Sequence, residues 1–280
     1  MKTILPSEIP IPKLHHYLLG AIGPRPIAFA STIDKNGNRN LAPFSFFNVF
    51  SANPPIIIFS PARSGRTGET KHTHDNVKEV AEVVINIVNY SMVHQMSLTS
   101  SPYPKGIDEF IKSGFTPIES ITVKPWRVKE SPVQLECKVI EVKELGQNGG
   151  AGNLIICEVT CIHINEAVLD DKDEIDQTKI DQVARMGGNW YCRANGDSLF
   201  EVQKPLTTIG IGIDTLPEHI KNSNTLTGNH LGRLGNLEHF PSSGKIDEVK
   251  KSILNQNNIE NIAIELIELG KIEEALCLLL

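Results

Sequence analysis

The sequence predicts a mainly β protein: an antiparallel barrel with helical additions, followed by a loop-rich and helical C-terminal extension. Three observations lead there. Strand-like runs recur at close spacing, at 25–33, 40–47, 55–60, 83–88, 133–143 and 153–165. No regular strand–helix alternation joins them, and no Gly-x-Gly-x-x-Gly follows a strand, which speaks against a doubly wound dinucleotide-binding sheet. Near residue 205 the texture changes: 206–245 is rich in Gly, Asn and Pro, and 246–280 is apolar at near-helical spacing. The expected division is 1–205 and 206–280.

The elements follow in order. RPIAFASTI at 25–33 is β-branched and apolar, and DKNGN after it centres a turn on Asn36-Gly37. NLAPFSFF at 40–47 returns as a second strand. PIIIFS at 55–60 is a continuous apolar run, the mark of a buried strand. From Thr73 the period changes: Val77, Val80 and Ala81 predict a short helix with Thr73 as its cap. VVINIV is another buried strand, and 91–115 reads as short helices broken by Pro102 and Pro104. Two long strands, 133–143 and 153–165, flank a QNGGAG loop as a hairpin. Residues 246–280 predict two amphipathic helices, the second carrying Ile259, Ile262, Leu266, Ile267 and Leu269.

Composition excludes several classes. Of 280 residues, 40% are hydrophobic and 21% charged, which is ordinary soluble usage. The net charge of -6 gives no electrostatic footprint for nucleic acid, so no nucleic-acid partner is expected. No run reaches transmembrane length and the start lacks the apolar core of a signal peptide, so no membrane association is expected and the expected location is cytoplasmic. Five cysteines without framework spacing fit a reducing compartment. Cys157 and Cys161 lie on one strand, roughly 13 Å apart, too far to share a zinc. The final Cys-Leu-Leu-Leu matches a prenylation box only formally, because no basic run precedes it.

Three segments hold residues suited to chemistry. In NLAPFSFFN and the following SANPP, small polar residues mix with three phenylalanines at a strand end, which suits a planar amphipathic ring; a core strand running into a turn reads equally. In SPARSGRTGETKHT, two glycines permit close backbone approach, and Arg63, Arg66 and Lys71 supply charge beside a helix start. That is the composition of a phosphate cradle, or of a solvated loop. Glu69 and Asp75 must point away from any anion there. In ARMGGNWYCR, paired glycines suggest a tight turn that presents Arg185 and Tyr191, and a loop tucked against the barrel reads equally. No catalytic triad, carboxylate pair or HExxH is present, and a cofactor that carries its own chemistry fits that absence. No metal site is expected.

Arg25-Pro26-Ile27-Ala28, the Asn-Gly turn, NLAPFSFFN, Asn53-Pro54-Pro55, Lys71-x-Thr73-x-x-Asn76 and Arg185-x-Gly-Gly stand in an order that resembles the flavin reductase-like, FMN-binding split-barrel family, over roughly residues 15–205. Leu216-Pro217-Glu218 and the Asn224–Asn229 stretch resemble a C-terminal extension that some members carry. The resemblance implies a split β-barrel, a homodimer and FMN at the dimer interface. It implies that Ser45, Phe46, Phe47 and Asn48 line the flavin ring, that Ser60, Lys71, Thr73 and Asn76 lie near the ribityl chain and phosphate, and that Arg185 and Tyr191 sit close to the flavin. His72 stands where the family often has Asp, placing a pH-dependent charge beside the phosphate. The chemistry implied is that of an NAD(P)H-dependent flavin reductase, with hydride passing from nicotinamide to flavin and no protein acid or base required. Arg185 is then a cation beside the reduced ring. Two alternatives stand: an electron-transfer protein of the flavoredoxin type, and a non-catalytic FMN-binding protein. A monooxygenase or electron-transfer protein is the expected partner.

Overall fold

The computed structural model describes residues 1–253 and 258–280. The chain forms two compact units, Met1–Phe200 and Glu201–Leu280. In the first, helix α1 (Ile11–Ala21) precedes strands β1 (Ala28–Ile33), β2 (Arg39–Phe44), β3 (Phe47–Ala52) and β4 (Pro55–Phe59). Helix α2 (His72–Glu79) and strand β5 (Glu82–Ile87) follow, then short helices α3 (Val93–Leu98) and α4 (Glu109–Ser113). A small ladder, β6 (Pro117–Ile118) with β7 (Arg127–Val128), leads into the long hairpin β8 (Val133–Glu144) and β9 (Asn153–Ile164). A last hairpin joins β10 (Val183–Arg185) to β11 (Tyr191–Arg193).

Seven strands form one antiparallel sheet in the order β2-β1-β5-β8-β9-β4-β3. Its two edges are β2 and β3, yet only Ser45 and Phe46 separate them in the chain. A flat sheet of this size would hold its edges roughly 29 Å apart, at about 4.8 Å per strand. The link from Phe44 to Phe47 reaches at most about 11 Å. The sheet therefore curls until its edges nearly meet, and the seam falls at Ser45-Phe46.

Strand alternation builds two cores from β1. Ala28 and Ala30 face the barrel interior with Ile57, Phe59, Val83, Ile85, Cys137, Ile155 and Cys157. Phe29, on the opposite face, packs against the outer layer of Met92, Met96, Phe110 and Phe115, with its ring 5.4 Å from that of Phe115. Both faces of β1 are covered, so its residues are buried without a break. The turn into β2 forms as the sequence implies. Gly37 takes a φ of 82°, and the Asp34 carboxylate accepts the Asn36 and Asn38 amides, each at 2.9 Å.

Several expected elements differ. The single strand at 40–47 is two strands, because the chain turns at Ser45-Phe46 to pass from one sheet edge to the other. The run at 55–60 is a strand, but only Ile57 and Phe59 of β4 are buried, since one face of β4 is open. The first strand begins at Ala28; Arg25 joins only a single bridge to Arg185. Thr73 does not cap α2. It lies inside the first turn, 1% exposed, and its hydroxyl accepts from the Asn40 amide at 3.0 Å.

In Glu201–Leu280, the stretch expected to be loop holds helices α5 (Glu218–Lys221) and α6 (Gly228–Gly235). Thr227 caps α6 by accepting the His230 amide. The expected pair of helices at 246–280 is three: α7 (Ser243–Ser252), α8 (Ile259–Glu268) and α9 (Ile272–Leu279). Residues 254–257 of that expectation lie outside the described residues. Gly270, at a φ of 78°, ends α8, and Leu269 just before it is exposed rather than part of the apolar stripe. The unit has its own core, in which Leu216, Ile220, Leu234, Ile267, Leu276 and Leu279 meet. No described helix in the chain is long and apolar enough to cross a membrane.

Candidate functional site

Two adjoining cavities open beside the seam. The first has a volume of about 450 Å3 and is lined by Ile27, Pro43, Ser45, Met96, Arg185 and Tyr191, among others. The second, about 340 Å3, is bounded by Asn40, Ala42 and Phe44 of β2, by the 64–73 loop and by 99–103. Pro43 and Ser100 line both. Together they make an elongated site with two chemically different ends.

The 64–73 end carries two cations and is rich in hydroxyls. Arg66, Lys71, Ser64, Thr67, Ser100 and Ser101 line it. Arg63, expected in this cradle, is turned away and bonds Glu144 at 3.1 Å. Asp75 also turns away, held by the Thr70 hydroxyl at 2.7 Å, whereas Glu69 stays on the cavity wall. Glu109 closes the inner side; it is 4% exposed and accepts the Leu41 amide at 3.0 Å. Burial raises the pKa of its carboxyl above the usual carboxylate range. The tip of the β8–β9 hairpin props the loop from behind. Gly150 N donates to Arg63 O at 3.1 Å, and Arg63 N donates to Ala151 O at 2.8 Å. A Cβ at Gly149 would lie 2.8 Å from Ser64 O, so only glycine permits this approach.

At the other end, the Arg185 guanidinium lies over the Tyr191 ring at 4.5 Å and donates to Gly188 O at 2.8 Å. Arg25 fixes this turn from beneath. It is 6% exposed and donates to Leu19 O at 2.8 Å, to Ile22 O and to Met186 O at 2.9 Å, and its Nε reaches Ser45 Oγ at 3.5 Å. Burial, with the neighbouring Arg185 cation, lowers the pKa of Arg25 from the usual arginine value. Two cations thus bias this end toward negative charge.

Of the residues expected to bind, Ser45, Arg185 and Tyr191 gather at the first cavity, and Lys71 and Thr73 at the second. Ser60 lines neither. Its hydroxyl accepts the Asn153 amide at 3.0 Å and ties β9 to the start of the 60–71 loop. Asn76 lines neither large cavity; it is buried and donates to Thr32 Oγ1 at 3.2 Å. Phe46, Phe47 and Asn48 also lie off both cavities, at the seam and along β3. Phe47 packs on the barrel core, while Phe46 and Asn48 are exposed. Sequence reading missed the 97–103 wall. The density of Ser and Thr in SLTSSPY is the signal that marks it.

Residues 21–179 match the family model described as "Flavin reductase like domain". The chain belongs to the flavin reductase-like family, and its first unit is a split barrel with helical additions. An uncharacterized Aquifex aeolicus protein is 35% identical over 190 residues, covering 68% of this chain and 94% of its own. Nitrilotriacetate monooxygenase component B from Bacillus cereus superposes with a TM-score of 0.67 at 32% identity, covering 72% of this chain and 98% of that one. A Shewanella frigidimarina protein described as a candidate flavin reductase with a split barrel domain gives 0.60 at 28% identity, covering 71% and 95%. The family match ends before Glu201–Leu280 begins.

The site residues fit FMN. A phosphate suits the cations and hydroxyls of the 64–73 end, and a planar ring with a polar edge suits Tyr191, Ile27, Met96 and Arg185 at the other.

Proposed function

We propose that this protein is an FMN-binding oxidoreductase that takes electrons from NAD(P)H, a flavin reductase in activity as well as in family. The observation that carries the reading is the pair of joined cavities, with two cations among hydroxyls at one end, and mixed apolar and polar groups with one aromatic ring and a cation at the other. Bound FMN would supply the hydride-accepting chemistry, at its N5. The chain's own residues bind and orient. Lys71 and Arg66 hold the phosphate, and Ser100 and Ser101 donate to it. Thr73 and Asn40, bonded to each other, fix the wall of the phosphate end. Arg185, backed by Arg25, keeps positive charge where negative charge develops on reduction. Tyr191, on the wall of the ring end with Arg185 over its own ring, would pack against the bound cofactor.

The working form in this reading is a homodimer. Phe46, Val49 and Phe50 are exposed on and beside β3, next to the seam. A second copy covering them would bring its own Phe46–Asn48 segment to the ring end, which accounts for that segment lying off the cavities of one chain. The protein acts in the cytoplasm and passes electrons to a monooxygenase or another redox partner.

The test is an absorbance spectrum of the purified protein with added FMN, then with NADH and NADPH without oxygen. The expected result is a perturbed flavin spectrum that bleaches promptly with one nucleotide. Bound flavin that bleaches only with a reduced ferredoxin would replace the reductase reading by electron transfer. Bound flavin that nothing reduces would leave a binding protein, and unbound FMN would overturn the reading altogether.

A further inference from the structure

The β8–β9 hairpin carries a second cluster of reactive side chains outside the cavities. Glu136 of β8 stands directly opposite Cys161 of β9 in the antiparallel register. His163 is two residues beyond Cys161, so strand alternation puts all three side chains on one face. Next to them the register slips: Glu136 pairs with Cys161 and Cys137 with Val159, leaving Thr160 as the extra residue of a bulge. Bulges re-aim side chains and recur at functional sites. Here the result is convergence. The Glu136 carboxylate, the Cys161 thiol and the His163 imidazole place one ligand atom each within 4.8 Å of one another. His163 Nε2 lies 2.7 Å from Glu136 Oε1 and 3.4 Å from Cys161 Sγ.

We propose that Glu136, Cys161 and His163 bind one divalent metal ion of the zinc type, held by carboxylate oxygen, thiolate sulfur and imidazole nitrogen with a fourth position open to water. The donor set is that of a borderline-soft cation. In the metal-free geometry His163 Nε2 lies between the oxygen and the sulfur. On metal binding the neutral imidazole coordinates through an unprotonated Nε2 and keeps its one proton on Nδ1, while the thiol releases its proton to solvent and binds as thiolate. With bonds of roughly 2.0–2.3 Å at tetrahedral angles, the oxygen and nitrogen separate to roughly 3.3 Å and the sulfur and nitrogen to roughly 3.6 Å. Only small side-chain shifts are required.

The surrounding groups already orient the carboxylate. Glu136 is fully buried, its Oε1 accepts the Ile121 amide at 2.8 Å, and its Oε2 accepts the Thr122 hydroxyl at 2.7 Å and the Thr122 amide. Exchanging His163 for a metal leaves Oε1 with two partners, its full capacity. Such outer contacts hold a ligand ready for metal. The nearest opposing charge is Arg127, whose Nε is 3.7 Å from Oε1. Its guanidinium is engaged elsewhere, by Glu119 O at 2.9 and 3.1 Å and Gln134 Oε1 at 3.0 Å. Cys157, the other cysteine of β9, is in the barrel core and plays no part. The ion cross-links the two strands of the long hairpin, and the 119–122 segment packs on it only through the hydrogen bonds to Glu136.

The experiment is a cobalt(II) titration of untagged protein, stripped with chelator and kept reduced, followed by absorbance. One equivalent per chain is expected, with a sulfur-to-cobalt charge-transfer band that added zinc displaces. Cys161→Ser abolishes the band; Cys192→Ser, at a half-buried cysteine elsewhere, leaves it. His163→Ala weakens binding at least about tenfold. Saturating zinc raises the melting temperature of the wild type and not of Cys161→Ser, with FMN binding as the check on folding in both. Failure to take up cobalt, or uptake unchanged by both the Cys161 and His163 substitutions, overturns the proposal and leaves a His163–Glu136 hydrogen-bonded pair. Neither result bears on the flavin reading.

Discussion

Replacing Arg25 by alanine tests whether one buried cation assembles the ring end of the site. Its guanidinium joins three pieces of chain: the end of α1 through Leu19 O and Ile22 O, the 186–190 turn through Met186 O, and the seam through Ser45. Bonds from a charged donor contribute about 1.5–3 kcal/mol each. They are not additive, and water entering the gap re-satisfies part of what is lost. A net loss of about 3–5 kcal/mol follows, the usual consequence of breaking a buried charged network. That is a large share of the roughly 5–15 kcal/mol that stabilises a domain. Arg25→Lys recovers little, because one ammonium cannot span the fork. The two backbone bonds between Arg25 and Arg185, each 2.9 Å, survive either change, so the barrel still forms while the turn loosens. The assay is urea unfolding beside FMN titration, with Trp190 fluorescence reporting the turn. Stability within about 1 kcal/mol of wild type, with FMN affinity unchanged, would refute the reasoning, since the smallest single bond counted exceeds that.

Other substitutions probe the remaining parts. Lys71→Ala should weaken FMN about 10- to 100-fold, one charge-assisted phosphate contact, measured by flavin fluorescence; unchanged affinity would remove the phosphate from the 64–73 end. Gly149→Ala forces Cβ against the Ser64 carbonyl and should cost about 1–3 kcal/mol in thermal melts while weakening FMN, as the hairpin tip pushes on the loop. Burial raises the Glu109 pKa, so the folded protein binds that proton more tightly than the unfolded chain and stability falls as pH rises from the unfolded value through the folded one. Glu109→Gln keeps an acceptor for Leu41 and should therefore melt higher than wild type at pH 8, with the gap closing below about pH 4; an equal gap at both would show that burial of the charge is not the cause. If the proposed dimer forms through β3, Val49→Asp with Phe50→Asp should convert it to a monomer in light scattering; a dimer that survives would place its interface elsewhere, and a monomeric wild type would remove the dimer from the reading.

Much of the barrel was legible because its strands carry local signals. Ala28–Ile33 and Glu82–Ile87 are apolar runs, and Asn36-Gly37 allows the φ the turn requires. The passage from β2 to β3 was not legible, because NLAPFSFF reads as one strand until long-range pairing assigns its halves to opposite edges. The same holds at the site. Lys71 and Arg185 are marked by charge beside glycines, whereas Ser60 and Asn76 carry hydroxyl and amide groups that suit a ligand equally well. In this structure they bond Asn153 and Thr32, partners brought near only by the fold. The reading of 91–115 as short helices with a break holds in α3 and α4, but it does not show that the break between them lines a cavity. The C-terminal helices were overcounted in length, since one glycine, Gly270, divides what apolar spacing joins.

The seam has a consequence for how the chain acquires its shape. β1, β2 and β5 pair within the first 87 residues, but β4 reaches the rest of the sheet only through β9, with Ile57 beside Cys157. On a ribosome, the β3–β4 hairpin emerges long before its neighbour and waits with one edge unpaired while some hundred residues are added. Closing so long a loop is slow. The seam beside both cavities therefore forms among the last features of the barrel, and a nascent chain stopped before β9 holds most of the residues that line the cavities before either cavity exists.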